Sequence, residues 1–394
     1  MKKQRQINSF LFIEPECRGF QHSEFNAAFI SVVALAHPEA SLMLASEQSH
    51  GEGVLSTIIR ANRASLAKRI QLNTIEFLPV DAVGFHSWFQ SLLESHLGRV
   101  QVIFTSVNKT NFTAMMALVD QICQPPWIVL HGILEDAMRR PSLRFSHWKG
   151  IPNWFGWVLR SKSVRYFKWI TLSDSILQAT LQRLPRLAPY LHSMDMPYLF
   201  LPSEFFGRGH TPEQGFSFAT LGVMDLGKGA KTILQIAKVV KNTTPARPLQ
   251  LIGFVNGEEL YSTLSQYAKV PKKNFPMDRE CFWEACREAT HALFCFSANS
   301  YQYKSSAAFW DAICAELPIL ALWNPSFQHY ARQFPLAIQL YDSVALLQEA
   351  VMAVMTHGDP QYTYRVEETK KMKQEYAIES YPKRLRSLER GRDV

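Results

Sequence analysis

Short apolar runs alternate along this chain with longer stretches of helical period. Residues 10–14 (FLFIE) read as a buried strand, 15–24 as a glycine-containing loop and 25–36 as a helix. Four more strand-like runs follow at 42–45, 74–78, 100–105 and 127–130, separated by helical stretches at 55–69, 85–97 and 112–123. A less regular insertion, 134–168, precedes another strand and helix at 169–172 and 175–184. Residues 185–215 then lose all periodicity and gather prolines and glycines, the mark of a crossing between domains.

A second series begins at 216–221 and continues with a helix at 230–241, a strand at 249–252, and helices at 257–267 and 279–287. After it come a strand at 292–296 (ALFCF), a helix from Ser305, strands at 319–321 and 338–340, and a helix at 344–355. The charged tail, 362–390, reads as helical to 381. Strands that alternate with helices and are apolar throughout predict parallel sheets covered on both faces, hence an α/β protein. A chain of 394 residues is too long for one ordinary core, so two domains are expected, 1–200 and 201–361, with 362–394 as a helical tail.

Composition narrows the setting. Six cysteines (Cys17, Cys123, Cys281, Cys286, Cys295, Cys314) form no C-x-x-C pair, and several sit in apolar runs, so they read as buried thiols in a reducing compartment. No apolar run approaches the ~20 residues needed to cross a bilayer, and the polar start MKKQRQINS leads into a short strand, so a cytoplasmic location is expected. The net charge of +8 is uneven. Arg139, Arg140, Arg144, Lys149, Arg160, Lys162, Arg165 and Lys168 are interleaved with Trp148, Trp154, Phe155, Trp157, Tyr166 and Phe167. This mixture suits a solvated, partly packed surface or a face that docks on anionic lipid. Nucleic acid ranks last, because no recognition module accompanies the charge.

The candidate chemistry lies in loops that follow strands, where parallel sheets open their crevices. In the second half, Tyr303-Lys304-Ser305-Ser306 leads from a strand into a helix whose N-terminus favours anions, with Asp311 farther along that helix. The turn 222–229, GVMDLGKG, supplies Gly222, Gly227, Lys228 and Gly229; glycines let the backbone approach an anion and the lysine adds charge. The spacing overlaps a P-loop, but Gly229 stands where that loop needs serine or threonine, which argues against an NTPase. In the first half, the loop RGFQHSEFN carries Gly19, His22, Glu24 and Asn26; His131 follows the strand WIVL directly, with Glu135 four residues on. The histidines and cysteines have no metal-ligand spacing, so no metal site is expected.

The order tyrosine, lysine, serine, small residues, Asp311-Ala312, then Pro318 before an apolar strand resembles the donor segment of retaining, sucrose-synthase-like GT-B glycosyltransferases, the group 1 or family 4-like kind. The resemblance implies two Rossmann-like domains with parallel sheets facing each other across a cleft, acceptor bound by the first and nucleotide sugar by the second. It implies a metal-independent, hexosyltransferase-like enzyme with no cofactor beyond its nucleotide-diphosphate-sugar donor. Its acceptor would be a glycan or lipid-linked molecule, its pathway surface polysaccharide or glycoconjugate synthesis, and its outcome retention of configuration. A sugar-nucleotide epimerase of the same fold, or a degenerate nucleotide-sugar-binding protein, is the alternative.

By resemblance, Lys228 and Lys304 contact the donor diphosphate, and Gly222, Gly227, Gly229, Tyr303, Ser305, Ser306 and Asp311 complete the donor site. His131 faces the reacting sugar, while Gly19, His22, Glu24, Asn26 and Glu135 belong to the acceptor side. Two departures stand out: Val223 replaces the arginine usual after the first glycine, and Tyr303 replaces the first of two glutamates eight residues apart.

If the basic, aromatic stretch docks on lipid, co-sedimentation with anionic vesicles falls as salt rises and on charge reversal of Arg139, Arg140 and Arg144. Equal binding to neutral and anionic vesicles would rule this out.

Overall fold

The computed structural model describes residues 7–19, 21–76, 81–95, 100–122, 124–139, 154–206, 215–272, 277–297 and 301–390. The chain divides into two compact units. The first runs to Leu199 and takes in Tyr303–Ser305 and the chain from Ala377 onward; the second comprises Phe200–Gln302 and Ser306–Tyr376.

Unit 1 runs β1 (Ser9–Glu14), α1 (Ser23–Ala36), β2 (Ser41–Ser46), α2 (Gln48–Arg60), α3 (Ala64–Ala67), β3 (Ile70–Thr74) and α4 (Ala82–Ser95). It continues with β4 (Val100–Phe104), α5 (Lys109–Met116), β5 (Trp127–Val129), α6 (Ile133–Met138), α7 (Gly156–Arg160), β6 (Lys168–Thr171), α8 (Asp174–Arg183) and β7 (Leu191–Ser193). The strands form one parallel sheet in the order β3-β2-β1-β4-β5-β6-β7. The central strands β1 and β4 are buried almost throughout, which is why their sequences are unbroken apolar runs.

Unit 2 contains α9 (Ser203–Phe206), β8 (Phe218–Met224), α10 (Ala230–Thr243), β9 (Gln250–Val255), α11 (Glu258–Leu264), α12 (Arg279–Arg287) and β10 (His291–Phe294). After these come α13 (Ala307–Cys314), β11 (Ile319–Leu322), α14 (Pro325–Ala331), β12 (Ile338–Tyr341), α15 (Val344–His357) and α16 (Tyr362–Glu375). Its parallel sheet has the order β12-β11-β10-β8-β9. The last helix, α17 (Tyr381–Arg390), returns to unit 1.

The elements differ from the sequence reading where local pattern and tertiary setting conflict. β3 lies earlier than the apolar run 74–78, because an edge strand exposed along one side carries no such run. The helix read over 55–69 is two helices, α2 and α3, parted at Asn62, whose φ of 61° only asparagine and a few other residues tolerate. β7 falls inside the stretch read as irregular and is defined by its pairing with β6, not by its composition. α14, unforeseen, starts from a capping Asn324 and Pro325. The tail helix breaks at Ala377, which is extended and pairs with Tyr198. Of the cysteines, Cys17, Cys286, Cys295 and Cys314 are buried as expected, Cys281 is exposed, and Cys123 lies outside the described residues.

α17 is fastened to the rest of unit 1 along one face. The Tyr381 hydroxyl donates to the Met196 carbonyl (3.2 Å), Arg384 pairs with Asp195 (3.0 Å) and Glu389 with His37 (2.7 Å). Leu385 is fully buried. Leu385→Ala should therefore cost about 2–5 kcal/mol by urea unfolding, as for other buried leucines, and change of the exposed Lys383 to alanine about 0.5 kcal/mol or less.

Candidate active site

Each sheet has a topological switch point, the place where successive crossovers leave in opposite directions and a crevice opens beyond the strand ends. In unit 1 it lies between β1 and β4, in unit 2 between β8 and β10.

At the first switch point β1 ends in Glu14, which is fully buried. Five donors converge on its carboxylate: the N–H groups of Glu16 and Cys17 (3.1 Å each) and the Ser106 hydroxyl on Oε1, with Asn26 Nδ2 (3.2 Å) and the Thr105 hydroxyl (2.9 Å) on Oε2. Burial alone would raise its pKa; the bonds from Ser106 and Cys17, the nearby His50 and the bond from Asn26 outweigh that and hold it below the usual value. The ionised carboxylate thus ties the loop after β1 to the loop after β4.

The same network fixes the tautomer of His50. Its Nδ1 faces the Gly19 carbonyl at 2.9 Å and must carry the proton, so Nε2 accepts from Asn26 Nδ2 at 2.9 Å. Burial lowers the His50 pKa, against the pull of Glu14, so the ring is neutral. The two amide protons of Asn26 are spent on Glu14 and His50, and its Oδ1 is buried without a partner among the described residues. Glu47 caps α2 through Ser49 and His50 and also accepts from Gly19 N–H (3.3 Å). Against a desolvation cost, these bonds bring its pKa down to about 2.

His22 and His131 meet beside this network, ring centroids 4.1 Å apart and 30° from parallel, with Phe25 packed against His131. His22 keeps one edge in solvent, and its Nδ1 lies 3.4 Å from Cys17 Sγ. Burial and the adjacent Glu14, which accepts from the thiol, push the Cys17 thiol well up, so it stays protonated. Desolvation lowers His22, against the pull of Glu14 and with His50 adding to the drop, and it lowers His131 well below the ordinary histidine value, with His22 as a further cause. Both rings are neutral hydrogen-bonding groups. Glu16, at the rim, is raised to about 7 by burial and the charge of Glu14, opposed by a bond with Asn108.

The remaining candidates of the first half have defined partners. Glu24 pairs with Arg60 of α2 (2.5 Å), and Asn26 is fully buried beneath the loop. Glu135 holds Lys304 (2.5 Å) and Arg139. Tyr303 is buried in the unit 1 core with Arg183 over its ring (5.8 Å). Tyr303, Lys304 and Ser305 therefore belong with unit 1, while Ser306 and Asp311 belong with unit 2.

At the second switch point the turn after β8 is built by its glycines. Asp225 accepts from Lys228 N–H (2.9 Å), closing a 3-10 turn over Leu226–Lys228, and Gly229 enters α10 at φ 82°. A β-carbon on Gly229 would collide with the Cys295 carbonyl, and Gly222, at φ 84°, packs its backbone against Ala308. Gly227 lies on the exposed top of the turn, between Leu226 and the partly exposed Lys228. Ser306 caps α13 through Phe309 N–H (3.3 Å). Asp311 is buried and pairs with Arg279 (2.9 Å), whose guanidinium lies over Trp283 (4.5 Å) and Phe282 (4.7 Å).

Of the basic, aromatic stretch, Arg140, Arg144, Trp148 and Lys149 lie outside the described residues. Arg160 lies over Trp154 (4.8 Å), Arg165 over Tyr166 (4.9 Å), and Lys168 donates to the Leu388 and Glu389 carbonyls. Among the described residues, no helix is long and apolar enough to cross a membrane and no group of three or more His, Cys, Asp or Glu could hold a metal ion.

No protein-family model matches the sequence, and no curated protein matches it. Solved structures do resemble it over nearly the full length. TarM superposes with a TM-score of 0.65 at 8% identity, covering 98% of this chain and 99% of that one. HepE of Anabaena, in complex with UDP-glucose, gives 0.61 at 11%, covering 95% and 97%. A glycosyltransferase from Rickettsia africae gives 0.60 at 9%, covering 95% and 96%. The fold is GT-B. At these identities the likeness is one of architecture, and the residues above are this chain's own version of the GT-B strand ends.

Sequence reasoning missed Glu14, Glu16, Glu47, His50, Asn108 and Arg279. Only Glu14 left a trace, as a charge closing an otherwise apolar strand.

Two outcomes follow from this geometry. Glu14→Gln turns an acceptor into a donor facing donors and should cost at least about 2 kcal/mol in urea unfolding, since charge-assisted bonds contribute ~1.5–3 kcal/mol each. Glu16 binds its proton more tightly folded than unfolded, its pKa rising from 4.5 to about 7. The stability it confers is complete below the unfolded value and is lost as pH rises through about 7. Glu16→Gln should therefore flatten that part of the stability curve, read by unfolding from about pH 4 to pH 8.

Proposed function

We propose that the protein transfers a sugar from a nucleoside-diphosphate donor to a hydroxylated acceptor, unit 2 holding the donor and unit 1 the acceptor. The observation that carries this reading is the turn Asp225 to Gly229 at the unit 2 switch point, where a left-handed glycine, a lysine and the first turn of a 14-residue helix gather at one strand end. Such a turn offers N–H groups and an ammonium to an anion. A diphosphate is the group on which charge grows as a nucleotide sugar is cleaved. The GT-B architecture supports the reading, and HepE was solved with UDP-glucose.

In the assigned reaction the bond between the anomeric carbon and the diphosphate oxygen breaks, and its electron pair leaves with the diphosphate. The acceptor oxygen bonds to that carbon, and its proton passes to a departing phosphate oxygen. Attack from the face that the diphosphate leaves gives retention. Lys228 and the N-terminus of α10 stabilise the departing charge, so the chain needs no metal ion for that task. The ion pair with Glu135 gives Lys304 a different first task, holding residues 303–305 on unit 1. His131, being neutral, hydrogen-bonds a sugar hydroxyl and does not act as the base.

Lys228→Ala should weaken binding of UDP, GDP or ADP, whichever the protein prefers, at least about tenfold, since a charge-assisted phosphate contact contributes ~1.5–3 kcal/mol. Lys304→Ala should change it much less. Calorimetric titration decides, and unchanged affinity in Lys228→Ala refutes the donor assignment. The pH profile of transfer should show no break near the ordinary histidine value, and NMR of the product from an α-linked donor should show an α-linkage; a β-linkage would make the enzyme inverting.

A further inference from the structure

Three arginines of unit 1 stand together without an acid. Arg160 closes α7, Arg183 closes α8, and Arg186 lies in the 3-10 turn that follows. Each spends one nitrogen on backbone carbonyls of α6 or α7: Arg160 Nη1 on Ala137 (3.3 Å) and Gly156 (3.0 Å), Arg183 Nη1 on Met138 (3.0 Å), Arg186 Nη2 on Leu159 (3.0 Å). Beyond these bonds none of the three meets a carboxylate among the described residues, whereas Arg60, Arg279, Arg365 and Arg384 all do. Burial lowers the pKa of Arg160, and the charges of Arg186 and Arg183 lower it further with no acid opposing them. Residues 139–155 supply four more basic groups and no aspartate or glutamate, and Glu135 is committed to Lys304 and Arg139. Beside the cations lies an aromatic pair. Trp154 packs against Gly156, where a β-carbon would overlap its ring, donates to the Asp136 carbonyl (2.8 Å) and carries Arg160 over its face (4.8 Å). Trp157 stands edge-on to it (5.4 Å) and is half exposed.

From this we infer that Arg160, Arg183 and Arg186 form a subsite for the phosphate of an organic phosphate monoester, whose carbon body lies against Trp157. Capping of helix carbonyls occupies one nitrogen of each guanidinium and leaves the other N–H groups and the surplus charge to a ligand. A phosphate dianion relieves the repulsion among the three cations, and its oxygens match the fork of N–H groups that a guanidinium presents. Because the side chains are already fixed on backbone carbonyls, little freedom is lost when the anion arrives. The half-exposed indole of Trp157 gives the ester's carbon atoms a surface to cover. None of the three arginines was assigned to donor or acceptor, so the inference stands apart from the transferase reading.

The test uses the full chain in two arms: calorimetric titration with glycerol 3-phosphate, and co-sedimentation with phosphatidylcholine vesicles carrying phosphatidic acid. Binding in the first arm assigns a soluble ester, and binding in the second alone assigns a lipid headgroup. In the arm that binds, affinity should fall at least about threefold in Arg183→Gln and in Arg186→Gln. Both positions are exposed, so thermal unfolding should show these variants folded. Lys228→Ala should bind as the unaltered chain does, which separates this subsite from the glycine turn of unit 2. Vesicles given the same charge with oleic acid, a carboxylate, should be held at least about threefold less well. No binding in either arm, binding that Lys228→Ala abolishes while Arg183→Gln and Arg186→Gln leave it unchanged, or oleate vesicles held as firmly as phosphatidic acid ones would overturn the inference.

Discussion

The arrangement of unit 1 depends on one buried carboxylate. Glu14 closes β1 at the point where the sheet divides, and an ionised group there is tolerated only because five donors surround it. Those donors come from the loop after β1, the loop after β4 and the first helix. Satisfying the charge therefore fixes the loops, and the loops fix everything displayed on them. Asn26 passes the constraint to His50 and on to Gly19; Cys17 passes it to His22, which stacks on His131. The histidines are kept neutral by crowding, while Glu14 and Glu47 keep their charge through hydrogen bonds. One network thus sets both the shape of the site and the protonation of its members.

Unit 2 reaches a comparable result by a different means. Its switch point is shaped by closeness of backbone, with Gly229 against Cys295 and Gly222 against α13. A β-carbon has no room at Gly229, and at Gly222 it would crowd Ala308 at a φ that side chains rarely adopt, so the turn is a backbone surface that carries one cation, Lys228. Arg279 adds a second constraint by holding Asp311, which makes that aspartate a fixed group on α13 and not a solvated one. Val223, where the resemblance expects an arginine, is partly exposed on the same strand end and contributes no charge. Under the proposed donor assignment, neutralising an anion at this turn falls to Lys228 and the helix that follows it.

Much of the fold was legible in the sequence because strands buried on both faces must be apolar along their whole length. β1, β4, β10 and β11 announce themselves in that way. β3 and β7 do not, since an edge or near-edge strand is defined by hydrogen bonds that composition does not record. The glycine turn, the capping Ser306 and His131 at the end of its strand were legible for a related reason: backbone conformation and strand ends leave local signatures. Asp311 was legible as a carboxylate on α13, but its partner Arg279 comes from a helix far away in the chain.

What the sequence by itself determined is the alternation of strand and helix, the two halves, and the loops at the strand ends where chemistry collects. These follow from local periodicity and from the conformational limits of glycine and proline. Tertiary structure alone decided which polar groups meet. Glu14 and Ser106 are separated by nearly a hundred residues of chain, and Glu135 and Lys304 by more, yet each pair is in contact. Whether a carboxylate is ionised, a histidine neutral or a lysine committed depends on those meetings. The reason is physical: desolvation and hydrogen bonding act over a few ångströms in space and are indifferent to distance along the chain.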